Sequence, residues 1–248
     1  VTGGNLVVQD LFFTETAAFA DVILPAPSFF EKTGSFTNSN RQVQLGRQVL
    51  DPPGDARGDL HISQDLANRF GLNWAYDTAS DVFEEMRTVM PSHAGISHAR
   101  LDREDCVTYP CTKDDEPGKA VLFADGFPTL TGKATLAPAI PGQPDEETDA
   151  AYPFILTTGR MLEHWHTGAM SRRARVLDAI EPGPTIWINP QDVDMLGLDL
   201  EGSVTLTSRR GTLTAHVRSD PDTPRGVVFM PFAFREAAAN LLTNQIGR

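Results

Sequence analysis

Apolar positions fall in short blocks near both ends of the chain and at helical spacing between them. Leu6 to Val8 and then Ala20-Asp21-Val22-Ile23-Leu24-Pro25 form two apolar runs, each suited to a buried parallel strand. Thr14 to Phe19 between them predicts a helical turn, so the opening follows the strand, helix, strand grammar of a doubly wound sheet. Too little of that grammar is present for a whole sheet, and the chain is expected to start inside an α/β domain. Asp59 to Phe70 sets Leu60, Ile62, Leu66, Ala67 and Phe70 at roughly helical spacing, with Gly71 suited to the position just past a helix end. A second helix is expected from Ser80 to Val89.

From Met90 to about Asp149 the chain is rich in Pro, Gly and acid, broken by apolar runs such as Ala120 to Ala124. That composition predicts irregular structure with a short hairpin, and a domain boundary between residues 148 and 149. Beyond it the period shortens to two. Pro153 to Thr157, Thr185 to Ile188, Ser203 to Ser208, Thr212 to Val217 and Val227 to Met230 are predicted strands. Arg209-Arg210-Gly211 predicts a tight turn, with the glycine supplying any positive φ. Asn189 as N-cap, Pro190 at the first helical position and Gly197 after the last turn predict a short helix over Gln191 to Leu196. Short strands around a small helix point to a compact β-barrel. There is no internal repeat and no low-complexity tract.

Length and charge narrow the classes. With 248 residues and 40% hydrophobic content the chain can bury a core, and two domains are expected rather than one. No run approaches the roughly 18 apolar residues a bilayer crossing needs, and the first residues lack a signal-peptide pattern, so a cytoplasmic protein without membrane insertion is expected. Lys and Arg number 21 against 33 Asp and Glu, a net charge of -12 that disfavours nucleic acid and anionic membrane as partners. The acid concentrates at Asp114, Asp115 and Glu116 and again at Asp145, Glu146, Glu147 and Asp149, runs expected to be solvated loops. Cys106 and Cys111 are too few for an iron-sulfur site or a disulfide framework and are expected to be inert thiols. The start at Val-Thr-Gly-Gly, without Met, and the end at Asn-Gln-Ile-Gly-Arg lead to the expectation of a piece of a longer protein.

The densest chemistry lies in Thr157-Thr158-Gly159-Arg160-Met161-Leu162-Glu163-His164-Trp165-His166-Thr167-Gly168, which follows a predicted strand. A loop at a strand's C-terminal end has free amides and small residues that let a ligand approach. Arg160, Arg172, Arg173 and Arg175 stand there against the single Glu163, with His164 and His166 beside them. Arg forks and loop amides suit pyrophosphate oxygens, and Trp165 offers a flat face to a ring system. Two other readings stand alongside. Arg clusters commonly solvate helix faces, and an isolated His is usually a satisfied structural residue. A His-x-His pair can bind zinc, but no third ligand is evident and the neighbouring Arg residues would repel a cation.

The runs TTGRMLEHWHTGAMSRR, IWINPQDVDMLGLDLEGSVTLTSRRGTLTAHV and VVFMPFAFREAAANLLTN resemble the final domain of the molybdopterin oxidoreductases. Upstream, VVQDLFFTETAAFADVILPAPSFFEKTGSFTNSNRQVQ is similar to the end of the α/β domain that precedes it in that family, so the likeness covers essentially the whole chain. The TGR and HWHTG motif is shared by formate dehydrogenases and nitrate reductases. The VVQDLFFTET run, the REAAANLLTN ending and the Tyr109-Pro110-Cys111 turn look closer to the large (alpha) subunit of formate dehydrogenases.

The resemblance implies an α/β remnant of a molybdopterin-binding domain over residues 1–148, followed over 149–248 by a double-psi β-barrel that clasps bis-molybdopterin guanine dinucleotide, carrying molybdenum or tungsten. It implies that Thr158, Gly159, Arg160, Met161, Leu162, His164, Trp165, His166 and Thr167 line a dinucleotide, with Arg160, His164 and His166 facing phosphate or pterin. Gln9 and Asp10 match a strand-end nucleotide contact, although Asp10 equally suits a helix-start cap. Lys32 and Asp59 match contacts to phosphate and to base or ribose, with plain surface charge as the alternative. Phe232 and Asn240 match cofactor contacts by packing and by hydrogen bonding, or else a core residue and a solvated amide. The barrel's closing strand and a further basic contact are expected beyond Arg248. The 4Fe-4S cluster, the metal ligand and every catalytic residue are expected before the first residue, so this part alone is not expected to turn over. Expected partners are the N-terminal remainder of the same subunit and electron-transfer subunits. A nitrate reductase, and a noncatalytic β-barrel accessory module, are the alternatives.

Overall fold

A computed structural model describes residues 4–142, 144 and 146–244; Asp145 of the second acidic cluster and the last four residues lie outside it. The chain divides into two compact units, Val1–Leu136 and Ala137–Arg248.

The first unit opens with the parallel strand pair that its apolar blocks predict, but the expectation that both strands are buried is corrected: Val7, Val22 and Ile23 are exposed in this two-stranded sheet. Strand β1 (Val7–Asp10) pairs in parallel with β2 (Val22–Pro25), in the register Val7 to Val22 and Asp10 to Pro25. A 3-10 turn at Ala17–Phe19 carries the chain between them. Thr14 Oγ1 accepts the Ala17 amide at 3.2 Å, and Asp21 accepts the Leu6 amide at 2.7 Å, closing both ends of the connection. A three-stranded antiparallel sheet follows in the order β3 (Gly34–Thr37), β4 (Gln42–Gly46), β5 (Cys106–Thr108). Helix α1 is Asp59–Arg69, and Gly71 beyond it takes φ +84°, a left-handed angle that a side chain would resist. Helix α2 is Ala79–Val89, started by a reciprocal capping box between Thr78 and Asp81.

The stretch from Met90 corrects the expectation of irregular structure. It contains α3 (His98–Glu104), capped by Ser97 accepting the Arg100 amide at 3.1 Å, and β5. Ile96, Leu101, Val107 and Cys111 from this stretch are buried with Val43 and Phe83 as the unit's core. The acid and Pro around them masked four core positions. No strand hairpin forms over 112–150 among the described residues; Ala120 to Ala124 is turn.

The second unit is a five-stranded mixed sheet in the order β6 (Ile155–Gly159), β10 (Val227–Pro231), β7 (Thr185–Ile188), β9 (Thr212–Ser219), β8 (Ser203–Thr207). β6 with β10 and β7 with β9 run parallel, while β10 with β7 and β8 with β9 run antiparallel. Alternation along β9 is strict: Leu213, Ala215 and Val217 face the core with Ile186, Ile188, Val228 and Met230, and the residues between them face outward. Helix α4 (Arg175–Ile180) precedes β7, and α5 (Pro190–Leu196) follows it. The Asn189 side chain accepts the Gln191 amide at 3.0 Å, and Gly197 takes φ +61°. Gly211 corrects the turn expectation. Its φ is not positive; a Cβ there would stand 2.8 Å from the Leu241 carbonyl oxygen, so close approach is what requires glycine.

Candidate functional site

β6 runs to Gly159, so Thr157, Thr158 and Gly159 belong to a strand and the loop begins at Arg160, two residues later than expected. Gly159 pairs with Pro231 of β10, and a Cβ on it would stand 2.6 Å from Cε2 of Phe229, inside any tolerated contact. The chain then leaves the sheet. The backbone amides of Met161, Leu162 and Glu163 donate to no acceptor among the described residues, and the exposed Arg160 guanidinium has no hydrogen-bond or ion-pair partner among them. Three open amides beside an open guanidinium form a donor set suited to an anion.

The second half of the loop turns inward. His164 is 1% exposed, and its Nε2 donates to the Glu181 carbonyl oxygen at 2.8 Å, which leaves a buried Nδ1 without a partner among the described residues. Its ring meets Phe234 edge-on at 5.6 Å. His164 thus lies in the interior, whereas His166 is only half-buried and takes a left-handed conformation, φ 49°. The His166 ring lies 4.6 Å from Trp165 and 6.3 Å from Phe232, so three sequence-predicted residues gather into one aromatic group. Trp165 remains 63% exposed and Leu162 95%, and Thr167 is also exposed. Phe232 is half-buried; the core aromatic here is Phe234. Asn240 is exposed on a 3-10 turn, Ala239–Leu241, that abuts Gly211 at the β8–β9 connection, and it makes no hydrogen bond to the loop.

The cationic cluster separates into roles the sequence could not distinguish. Arg172 is consumed structurally: it pairs with Asp178 at 3.2 Å, grips both oxygens of Glu236 at 2.8 Å, and lies over the Phe234 ring at 4.9 Å. Gly168, at φ +75°, admits it, since a Cβ there would stand 2.8 Å from Arg172 Cγ. Arg173 bonds the Ala169 carbonyl at 3.0 Å. Arg160 and Arg175 alone of the four are unpaired among the described residues.

In the first unit the structure joins three predicted residues. Gln9, at the C-terminal end of β1, donates to Asp59 Oδ1 at 2.6 Å, and Lys32 bonds Asp59 Oδ2. Burial pushes the Asp59 carboxyl up, but the hydrogen bonds from Lys32 and Gln9 and the Lys32 charge outweigh it and hold the group below the usual carboxylate range. Asp10 accepts the Phe12 amide at 3.2 Å, closing a turn after β1 instead of capping a helix. Gln9 and Asp10 are the last two residues of the parallel strand β1, and carboxyl ends of parallel strands are where open α/β sheets bind ligands.

Sequence reading missed a group around a cavity of about 540 Å³ on the outward face of the second sheet. Arg160 and Met161 line it together with Trp187, Phe229 and Arg218. Only strand pairing brings these distant positions together. On the apolar face, a cavity of about 460 Å³ is lined by Leu156, Ile186, Val204, Leu206 and Val228 and reached by Asn244. Among the described residues no group of three or more His, Cys, Asp or Glu could hold a metal ion, and no helix is long and apolar enough to cross a membrane.

Comparison with known proteins fits this arrangement. Residues 3–69 match the family model Molybdopterin oxidoreductase, and residues 154–247 match Molydopterin dinucleotide binding domain. The chain belongs to the molybdopterin oxidoreductase family. Within it, the chain is 44% identical over 241 residues to the F420-dependent formate dehydrogenase subunit alpha of Methanocaldococcus jannaschii, a match covering 96% of this chain and 36% of that protein. It is 35% identical over 239 residues to the assimilatory nitrate reductase catalytic subunit of Bacillus subtilis, covering 93% of this chain and 34% of the relative. The chain therefore spans about a third of these relatives. The acetylene hydratase of Pelobacter acetylenicus shares the fold at TM-score 0.71 and 20% identity, over 92% of this chain and 33% of that one.

Proposed function

We propose that this chain is the part of a formate dehydrogenase catalytic subunit that holds bis-molybdopterin guanine dinucleotide. The observation that carries the reading is the loop after β6, where three acceptor-free amides adjoin the unpaired Arg160. The donor set fits a diphosphate bridge, and the aromatic group of Trp165, His166 and Phe232 fits a flat ring beside it. In the first unit, Gln9, Asp10, Lys32 and Asp59 offer a cation for phosphate and carboxylates for the N–H edge of a guanine. Each unit thus presents a nucleotide-facing surface of its own, and residues 1–148 and 149–248 are the corresponding domains of the parent. The mixed five-stranded sheet, with parallel and antiparallel pairs around an apolar cavity, supports a double-psi β-barrel.

The parent enzyme oxidises formate to carbon dioxide, chemistry that the molybdenum or tungsten centre of the cofactor supplies when bound, with electrons leaving through iron-sulfur clusters. This chain's residues bind and orient. Fixing two long polyanionic arms sets the depth and angle of the reacting centre, and we assign no catalytic residue here. The remainder of the subunit and electron-transfer subunits are the partners, in the cytoplasm. The test is Arg160→Ala in the full-length subunit. Molybdenum (or tungsten) content and GMP released on hydrolysis should both fall; normal content with normal activity would overturn the assignment. The 35% identity to a nitrate reductase favours a second reading, separated by assaying formate-dependent dye reduction against nitrate reduction.

A further inference from the structure

The loop after β6 is supported by a chain of contacts that reaches its start and its buried middle. At its start, the Phe229 ring fills the space over Gly159. Phe229 meets Trp187 edge-on at 5.5 Å, and Arg218 lies over the Trp187 ring at 5.2 Å. Arg218 donates to Glu181 Oε1 at 2.8 Å. The Glu181 backbone carbonyl in turn accepts from His164, deep in the loop's second half. Glu181 is 6% exposed, and Arg218 is the side-chain cation that meets its carboxylate. A carboxylate withdrawn from water needs such a counter-charge, so the position of the Glu181 backbone is tied to Arg218.

We propose that Glu181 and Arg218 are positioning residues: their ion pair locks the carbonyl that holds His164, and so fixes the conformation in which Met161, Leu162, Glu163 and Arg160 present their donors. The claim rests on the anion-binding reading of that loop, but its own readout does not. Neither residue needs to touch the ligand, although Arg218 shares a cavity wall with Arg160.

The test uses the full-length subunit prepared without cofactor, with GDP and inorganic pyrophosphate as probes. In Arg218→Met, the Trp165 and Gly168 amides, bonded to Ser171 Oγ at 2.8 Å and to the Trp165 carbonyl at 2.9 Å, should exchange hydrogen about tenfold faster than in the wild type, while the core strands β7 and β9 keep their protection. GDP affinity should fall about tenfold, and Arg218→Lys, which keeps a cation against Glu181, should restore most of both. If Arg218→Met fails to fold, the double variant Glu181→Gln, Arg218→Met strands no charge and is read the same way. Unchanged loop exchange in a folded variant, or loss of protection spread evenly over the unit, overturns the proposal. A wild-type chain that binds neither probe sinks the cofactor reading and leaves the exchange result to decide the bracing.

Discussion

Gly159→Ala tests the packing beneath the site directly. The backbone at 159 is not left-handed, so any penalty is steric. The new methyl would stand 2.6 Å from Phe229 Cε2 and 3.0 Å from Cζ, the nearer contact about 0.8 Å inside ordinary van der Waals range. Phe229 cannot swing away freely, because Trp187 meets it at 5.5 Å and Arg218 covers Trp187. Relief must come from the sheet or from the loop. Overpacking of this kind costs about 1–3 kcal/mol. In a unit of this size each kcal/mol lowers the thermal midpoint by about 4–8 °C. Thermal unfolding followed by circular dichroism should show that fall, together with weaker GDP binding. Phe229→Leu shortens the obstructing side chain, so in the double variant the penalty of the alanine should shrink, with a coupling of about 0.5–3 kcal/mol. Additive effects, or a Gly159→Ala midpoint equal to the wild type, would refute the close approach.

Other expectations follow from the same geometry. Asp192 is 2% exposed and accepts the Gly226 amide at 2.7 Å, so Asp192→Ala should destabilise the second unit by about 1–3 kcal/mol in urea unfolding through the stranded amide. Lys32→Met removes both a hydrogen bond and a charge from Asp59, so the Asp59 titration followed by carbon NMR should move up toward the usual carboxylate range. Burial holds both His93 and His98 below the ordinary histidine value of 6.5, with Glu84 partly opposing it at His98. The unfolded chain therefore takes up these protons first, so stability is whole above that value and declines as pH falls below it. The urea midpoint of the first unit should drop between about pH 7.5 and pH 5.5, and less steeply in His98→Phe, which fills the place beside Phe83; a flat profile in the wild type would count against it.

Local pattern carried much of the architecture. The opening strands, α1, α2, α5 and all five strands of the second unit follow from apolar blocks, period-two alternation and cap residues, because each is dictated within a few positions of itself. The cationic, glycine-bearing segment after β6 was equally visible, as was the likeness of its motif to one family. Only the tertiary structure separated the residues within it. Arg160 and Arg172 look alike in sequence, but Asp178 and Glu236, the latter 64 positions away, neutralise one and leave the other open. His164 and His166 are two residues apart, and the burial of one ring against Phe234 makes it internal while the other is only half-buried. The first unit's middle segment was misread for the same reason: α3 and β5 are short, flanked by acid and Pro, and gain their stability from burying Ile96, Leu101, Val107 and Cys111 against Val43 and Phe83. A sequence records which groups are present near one another along the chain; charge neutralisation and burial depend on partners brought in from elsewhere, and folding alone decides those.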